Sequence, residues 1–512
     1  MALVCVSLSE RTVDGMVRAA RAAPGRGGDL VELRLDHLRK CDAEALGELR
    51  RSIRSVPVIA TLRPAREGGL YRGSETVRLA LLENAVERGF DYVDLELSIG
   101  KAPLARLAAL AKRRGVMAIV SHHDFRGTPP TARVARLLER CARAGGLAKA
   151  AFSVRSPDDA ARIVEATASA RRTAPGAIAI GMGPAGALTR TLGPFLGARF
   201  VYAGLDAGRT TAPGQPELAG LQRFWAVCGG IGRVGASTGL YGILGHPLGH
   251  SLSPILHNTA FRHLGMDAAY LPFDTEPAAL APTLRALRAA GLRGANVTIP
   301  HKTAIMPLLD GIDGTARKIG AVNTIVDRGG KLRGFNTDVA GFVGALSAAG
   351  VKIEGAHALV VGAGGAARAA VFGLQENGAA VTVVNRRRRR AEALVRRLGE
   401  AKISIGDSCD IGTVAERSDI IVNCTPAGMR GFPGTCPVPA RRIGPGAAVM
   451  DMVYNPERTR LLAAAGRRGA RTVSGMEMLV RQASEAFRLW TGRPFPEKAV
   501  RRALAHSRLS TN

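Results

Sequence analysis

A lysine inside an apolar run is a costly place for a charge, and Leu147-Ala148-Lys149-Ala150-Ala151-Phe152 holds one. If the run is a buried strand, the amine faces an interior. Burial disfavours the ammonium form, lowers the pKa and frees the nitrogen to attack a carbonyl as a Schiff-base nucleophile. The competing role is structural, a lysine that snorkels to a rim or pairs with Glu32. Other short apolar runs also end in polar groups: Glu32, Arg34 and Asp36; Arg63 followed by Glu67-Gly68-Gly69; and His122, His123 and Asp124. One of the two histidines is a candidate base and the other packs or hydrogen-bonds. As metal ligands they lack a third partner at suitable spacing, so no metal site is expected. A second set lies further along the chain. Lys302 and Asp338 suit a proton donor and its partner, because reducing a ketone requires a proton for the nascent alkoxide as hydride arrives; a structural salt bridge is the alternative. Ser251 and Ser253 stand just before a helical segment, where hydroxyls and free N–H groups bind a carboxylate, or where one of them is simply an N-cap.

A cofactor site is written between residues 357 and 390. His357 to Val361 is an apolar run that empties into Gly362-Ala363-Gly364-Gly365-Ala366-Ala367, and an Ala-rich segment of helical spacing follows to about Asn377. Strand, glycine turn and helix are the order of a dinucleotide fold: the glycines admit a pyrophosphate and the helix N-terminus receives its charge. The next run, Ala380 to Val384, ends in Asn385-Arg386-Arg387-Arg388-Arg389-Arg390. An acid there would hold the ribose hydroxyls of NAD, whereas Asn385, Arg386 and Arg390 suit the 2′-phosphate of NADP. Arg387 to Arg389 read as surface; a solvated helix face or a nucleic-acid patch is the blander reading of the whole run.

The elements that must position these groups follow from the apolar runs. In the first 225 residues these are Ala2 to Leu8, Leu30 to Leu35, Pro57 to Leu62, Tyr92 to Leu97, Val116 to Ser121, Leu147 to Val154, Ala177 to Met182 and Phe200 to Leu205. Segments of helical period separate them, for example Glu75 to Arg88 and Thr131 to Ala144, and Glu217 to Val227 follows the last. Alternation of this kind means parallel strands with crossover helices, and eight units predict a closed (β/α)8 barrel with an open doubly wound sheet as runner-up. In a barrel the chemistry sits where strands end. Cys228 to Thr238, CGGIGRVGAST, reads as a short flexible connector.

Composition sets bounds. The 512 residues allow two to four domains, and with 4% aromatics their cores must be built from Ala, Val and Leu. Lys plus Arg number 71 against 42 acids, a formal charge of +29. General basic bias explains it first, attraction of anionic substrates second and nucleic acid third. Seven cysteines without CxxC spacing suit reduced thiols and a cytoplasmic protein. No export leader and no twenty-residue stretch free of charge is visible, so a soluble protein is expected.

Taken together, Glu32-Leu-Arg34-Leu-Asp36, Arg63 with Glu67-Gly-Gly, Ser121-His-His123-Asp-Phe125, Lys149, Gly181-Met-Gly183 leading to Arg190, and Thr211-Ala-Pro-Gly-Gln215 resemble type I 3-dehydroquinate dehydratase. The resemblance implies an imine on Lys149, His123 as the base that also helps the hydroxyl leave, Glu67 orienting the histidine, and Arg190 with Gln215 on the substrate carboxylate. It also places Glu32, Arg34, Arg63 and Thr211 against the substrate. Thr211 stands where serine is expected, and His122 and Asp124 where Tyr and Asn are usual.

The second half is similar to shikimate dehydrogenase from Tyr241 to about Leu504. The segments that carry this are the serine motif, Asn296-Val-Thr298-Ile-Pro-His-Lys302, Gly320-Ala-Val-Asn323, Gly334-Phe-Asn336-Thr-Asp338, the glycine turn, Asn423-Cys-Thr425-Pro-Ala-Gly, Asp451-Met-Val-Tyr454-Asn-Pro and Gly475-Met-Glu-Met-Leu-Val-Arg-Gln482. The resemblance implies that Ser251 and Ser253 hold the substrate carboxylate. Thr298, Asn323, Asp338 and Gln482 would contact ring hydroxyls, Tyr454 would line the same site, and Lys302 with Asp338 would handle the proton. Gly362, Ala363, Gly364, Gly365 and Ala366, then Asn385, Arg386 and Arg390, with Thr425 and Gly475, would hold NADP. Arg387 takes the place of a usual Thr.

The expected fold class is α/β: a TIM-type barrel over residues 1–228, a linker at 229–238, a substrate-binding lobe at 239–344 completed by helices within 476–512, and a Rossmann NADP lobe at 345–475. The expected activity is dehydration of 3-dehydroquinate to 3-dehydroshikimate, then its reduction to shikimate with NADPH. Alternatives are an aldolase-type lysine barrel, a quinate or NAD-linked dehydrogenase, and a basic nucleic-acid binder. If the two sites are independent, Lys149→Ala abolishes dehydration and spares reduction, and Asp338→Asn does the reverse; loss of both activities in either folded variant contradicts this.

Overall fold

The computed structural model describes residues 2–206, 208, 210–227, 234–249, 251–399, 402–432 and 436–509. The chain divides into two compact units, Met1–Leu240 with Ala281–Leu292, and Tyr241–Leu280 with Arg293–Asn512.

In the first unit eight strands run parallel: β1 (Leu3–Leu8), β2 (Leu30–Arg34), β3 (Val58–Thr61), β4 (Tyr92–Glu96), β5 (Met117–Asp124), β6 (Leu147–Ser153), β7 (Ile178–Met182) and β8 (Phe200–Gly204). Their order in space is β7-β6-β5-β4-β3-β2-β1-β8. The apolar runs locate every strand to within a residue or two, except that β5 continues to Asp124. His122 and His123 therefore lie on the strand itself and, by its two-residue period, on opposite faces. The expected closed barrel is near-closed: among the described residues no ladder joins β7 to β8. Backbone N–H groups near that seam bond elsewhere, Gly181 to Thr189 Oγ1 (2.8 Å), Gly183 to the Pro213 carbonyl (3.0 Å) and Gly204 to the Pro216 carbonyl (2.9 Å).

Each strand buries both faces. Outward side chains such as Val31, Leu33, Val93, Val120 and Ala150 join the layer under the helices, while Cys5, Leu30, Ile59, Ile119, Ile178, Phe200 and Tyr202 fill a floor inside the barrel. On β1, β2, β3 and β5 the positions that follow on the same inward faces are polar: Ser7, Glu32, Thr61 and Ser121. Helix starts are set locally: Ser156 and Asp159 form a reciprocal capping box at the helix Pro157–Ser169, and Ser74 accepts from the Val77 amide at the helix Glu75–Glu87.

The second unit holds two six-stranded sheets. One contains β9 (Gly239–Gly245), β10 (Ala268–Asp274), β11 (Leu292–Val297), β12 (Gly311–Ile312), β13 (Thr324–Arg328) and β14 (Lys331–Phe335) in the order β10-β9-β11-β13-β14-β12, with β11, β13 and β14 antiparallel. The other contains β15 (His357–Val361), β16 (Ala380–Val384), β17 (Ile403–Gly406), β18 (Ile420–Asn423), β19 (Ala448–Asp451) and β20 (Arg471–Ser474), all parallel, in the order β17-β16-β15-β18-β19-β20. The strand order reverses at β15, which is where an open sheet of this kind binds a dinucleotide. The helix Gly475–Thr491 follows β20 and packs on the first of these sheets: Met476, Val480, Ala483 and Phe487 share a core with Tyr241, Ile243, Leu256 and Tyr270.

Of the proposed linker, residues 229–233 lie outside the described residues. Val234 is buried, with its carbonyl bonded to the Ala2 amide (3.2 Å), so this part of the stretch is packed. No helix among the described residues is long and apolar enough to cross a membrane.

Trp490 pins the returning helix. Its Nε1–H donates to the Ile325 carbonyl (2.8 Å) and its ring lies 4.9 Å from His257 and 5.5 Å from Tyr241. Trp490→Ala should destabilise this unit by about 3–5 kcal/mol, read as a lowered midpoint in thermal or denaturant unfolding.

Candidate active sites

The barrel residues singled out from sequence converge. Glu32, Arg34, Arg63, Glu67, His123, Lys149, Arg190, Thr211 and Gln215 all line one cavity of about 120 Å³. Strand alternation explains the convergence: Glu32 and Arg34 on β2, Ser121 and His123 on β5 and Lys149 on β6 occupy inward positions, Ser121 and Lys149 being direct partners across the ladder. His122 is on the outward face of β5, its ring 6.2 Å from that of Phe152. Position therefore selects His123.

Lys149 is 5% exposed, and its Nζ donates to Glu32 Oε1 (3.1 Å) and Asp94 Oδ2 (3.0 Å). The expectation of a lowered amine pKa is corrected here. Burial pushes the amine down, but the Asp94 and Glu32 carboxylates push it up further, and the ligand-free amine is held as an ammonium. Asp94 is the residue that the sequence reading missed. A signal was present: Asp94 and Glu96 alternate along β4 as Glu32 and Arg34 do along β2, which places both acids on the interior face. Asp94 Oδ2 also receives Arg63 Nη2 (2.9 Å), Glu96 receives Arg63 Nη1 (2.9 Å), and Ser121 donates to Asp94 Oδ1 (2.5 Å). Glu32 is held in addition by Ser7 Oγ (2.7 Å) and Thr61 Oγ1 (3.1 Å).

His123 Nδ1 lies 3.2 Å from Glu67 Oε2, and Ser98 donates to the other oxygen of that carboxylate. Burial and the Arg63 guanidinium push His123 down to about 4 against the opposing pull of Glu67, so its ring is neutral and can accept a proton at neutral pH. Arg190 differs from its neighbours. Its Nε and Nη2 are buried with no hydrogen-bond partner, and burial alone pushes the group down to about 10. A buried guanidinium without a partner calls for an anion. Across the cavity Gln215 Oε1 accepts from the Thr211 amide (2.8 Å) and hydroxyl (3.0 Å), and Arg34 forks onto Asp36 at 3.0 and 2.8 Å.

In the second unit Lys302 Nζ hydrogen-bonds Asp338 Oδ2. Asn323 Nδ2 joins Asp338 Oδ1 (2.8 Å), Thr337 Oγ1 (3.0 Å) and Gln482 Oε1 (3.5 Å), so four expected residues form one cluster. Ser253 is the first residue of the helix Ser253–His263, with Leu252 at the cap position, so neither serine is the N-cap there. Tyr454 hydrogen-bonds Ser251, and Tyr270 hydrogen-bonds Ser253. Thr298 follows β11 and opens the turn that leads to Lys302, its carbonyl accepting from the His301 amide (2.8 Å). Asn296, Tyr270 and Thr337 were missed. They brace the cluster from behind: Tyr270 Oη donates to Asn296 Oδ1 (2.7 Å), and Asn296 Nδ2 reaches the Asn323 carbonyl (3.3 Å).

The nucleotide elements are also in place. Gly362 adopts a φ of +119° after β15, and the helix Gly365–Glu376 begins with Gly364 as cap and no side chain on its free N–H groups. A Cβ at Gly365 would lie 2.9 Å from Lys302 Cδ, so glycine is what lets the turn approach the Lys302–Asp338 pair. Asn385 Nδ2 folds onto the Arg387 carbonyl (2.9 Å) and Arg386 and Arg390 are exposed. Arg388, read as simple surface, is tied to Asp407 (3.0 Å) and Glu392 (3.3 Å). Thr425 uses its hydroxyl within its own turn, on Asn423 (2.7 Å), while a Cβ at Gly475 would meet the Met452 carbonyl oxygen at 2.5 Å, a packing reason for that glycine. These groups fit a dinucleotide with an extra phosphate: glycine turn, uncapped helix start, and two exposed guanidiniums without ion pairs among the described residues.

A (β/α)8 unit with a buried lysine, followed by a two-lobed nucleotide-binding unit, is the class that fold and sites define. Family models match along the chain: type I 3-dehydroquinase at residues 4–231, shikimate dehydrogenase substrate binding domain at 243–325, shikimate/quinate 5-dehydrogenase at 345–429 and shikimate 5′-dehydrogenase C-terminal domain at 475–505. A chloroplastic bifunctional 3-dehydroquinate dehydratase/shikimate dehydrogenase of Arabidopsis thaliana is 34% identical over 97% of this chain and 83% of its own length. An NADP(+) shikimate dehydrogenase of Moorella thermoacetica is 45% identical over 53% of this chain and 94% of its own. The crystal structure of Aquifex aeolicus shikimate dehydrogenase superposes with a TM-score of 0.50 at 35% identity, covering 53% of this chain and 99% of that one. The chain belongs to the bifunctional 3-dehydroquinate dehydratase/shikimate dehydrogenase family.

Because Arg190 Nε and Nη2 are buried without a partner, Arg190→Met should remove a cost from the ligand-free protein and an anion hold from the site. The expected result is a midpoint of unfolding unchanged or raised by a few degrees, about 1–2 kcal/mol, with dehydratase KM raised more than about tenfold; a lowered midpoint with unaltered KM rejects the assignment.

Proposed function

We propose that the first unit dehydrates 3-dehydroquinate to 3-dehydroshikimate through an imine on Lys149 and that the second reduces this ketone to shikimate with NADPH, under the domain division given above. Family membership supports the pair of activities, and one observation carries the residue assignment: a lysine amine, a neutral histidine and an unpartnered guanidinium line the same cavity.

In this reading Arg190 takes the substrate carboxylate with help from Gln215, and Arg34, Arg63 and Thr211 bound the remainder of the site. Lys149 gives up its proton, attacks the ketone carbon and expels the oxygen as water. The nitrogen regains its positive charge as the protonated imine, so Glu32 and Asp94 oppose the same charge before and after. That cation acidifies the neighbouring C–H; His123, oriented by Glu67, takes the proton and returns it to the departing hydroxyl. Hydrolysis of the imine frees the enone.

In the second unit Ser251, Ser253 and Tyr454 receive the carboxylate side of the substrate, and Thr298, Asn323 and Gln482 its hydroxyls. Lys302, paired with Asp338, holds a proton where the reduced oxygen forms. Gly362, Ala363, Gly364, Gly365 and Ala366 would cradle the pyrophosphate; Asn385, Arg386 and Arg390 would take the 2′-phosphate, with Thr425 and Gly475 bordering the site. When bound, NADPH supplies the hydride. All substrates are small carboxylates, and the positive charge of the chain attracts them. The six cysteines among the described residues are free thiols, which supports a reducing, cytoplasmic setting.

Borohydride added with 3-dehydroquinate should leave a reduced adduct on the peptide that contains Lys149, detected by mass spectrometry. An unmodified lysine under turnover conditions would sink the imine route while leaving the second unit's assignment intact.

A further inference from the structure

One group beside Lys149 has no part in the scheme above. Tyr202 lies on β8 as the ladder partner of Cys5, is 5% exposed and lines the same cavity. Its ring centroid is 4.5 Å from Lys149 Nζ, and its hydroxyl has no hydrogen-bond partner among the described residues. The other charged or titratable groups around the amine are Glu32 and Arg34 from β2, Arg63 and Glu67 from the segment after β3, Asp94 from β4, His123 from β5, Cys5 from β1 and Arg190 across the cavity. An ammonium has three N–H donors. Glu32 and Asp94 accept two, and an aromatic face within 6 Å is an attractive neighbour for the cation that remains.

Imine formation changes this balance. The ammonium nitrogen carries three hydrogens and the protonated imine carries one; the N–C bond forms, the carbonyl oxygen departs as water, and the positive charge remains. At least one of the two carboxylates must lose its hydrogen bond. A ring face needs no N–H, because its attraction for a cation lying over it is electrostatic and does not depend on where the N–H bonds point, and it survives as the nitrogen turns from tetrahedral to planar. We propose that Tyr202 is a positioning residue for Lys149, its ring face holding the nitrogen as a cation both before attack and in the protonated imine. The proposal rests on the imine reading of Lys149.

The test uses the full-length protein and three substitutions, Tyr202→Phe, Tyr202→Leu and Tyr202→Met, with shikimate dehydrogenase activity and thermal unfolding as controls for folding. Two readouts are followed by peptide mass spectrometry: the pH dependence of Lys149 acylation by a small amine reagent, and the fraction of Lys149 trapped by borohydride with 3-dehydroquinate. Phe keeps the ring and should stay within about threefold of the parent in both. Leu and Met should lower the apparent pKa of the amine by roughly one unit and the trapped fraction by about tenfold. An unmoved amine pKa in Leu and Met, or a Phe variant as impaired as they are, overturns the proposal. If the parent protein itself yields no adduct, the imine reading falls and this inference with it; an adduct in the parent with indifferent variants removes only the role of Tyr202.

Discussion

The first unit is organised around a positive nitrogen kept out of water. A lone ammonium in such a place would cost several kcal/mol after relaxation, and the cost is met by carboxylates from two other strands. The balance extends further. Lys149, Arg63 and Arg78 face Glu32, Asp94 and Glu96 through contacts of 2.5–3.1 Å, three basic side chains against three acidic ones, with burial pushing the Glu96 carboxyl up to about 7. Truncating one member upsets that balance, although Asp94 and Glu96 each keep a second cationic partner.

Layering makes the arrangement possible. Inward positions toward the strand starts are Cys5, Leu30, Ile59, Ile119, Ile178 and Phe200, a dry floor. Two residues later on the β1, β2, β3 and β5 faces come Ser7, Glu32, Thr61 and Ser121, and Lys149 stands in the same way above Leu147 on β6. A two-residue period places reactive groups directly above apolar ones, so water is excluded from beneath and the chemistry is confined to the mouth. The second unit follows a similar rule with different parts. Its polar cluster gathers where β11 and β14 end and β13 begins, and the glycine turn after β15 is small enough at Gly365 to let Lys302 come close.

Most of the architecture could be read from the chain because strand runs and helical periods are local signals. The β1–β8 limits apart from the end of β5, the glycine turn at Gly362, the end of β16 before Asn385 and the returning helix around Trp490 were visible in this way. The protonation of Lys149 was not. Burial of the amine could be inferred from its apolar flanks, but the sign of the pKa shift depends on Asp94, 55 positions away, and a sequence pattern carries no distances. The seam between β7 and β8 was likewise invisible, since it arises where groups outside the strands, such as Thr189 Oγ1 on the helix Ala187–Leu192 and the Pro216 carbonyl, take bonds that a neighbouring strand would have taken.

From the residues alone came the candidate reactive groups, the order of the elements and the preference for an extra phosphate, because each depends on side-chain type and short spacing. Folding in three dimensions settled which histidine faces the lysine, that the amine rests as an ammonium, that Arg190 lacks a partner and that an aromatic ring lies against the nitrogen. Those properties are sums over groups brought together from distant strands, and Coulomb and desolvation energies vary with separations of a few ångströms that exist only once the chain is packed.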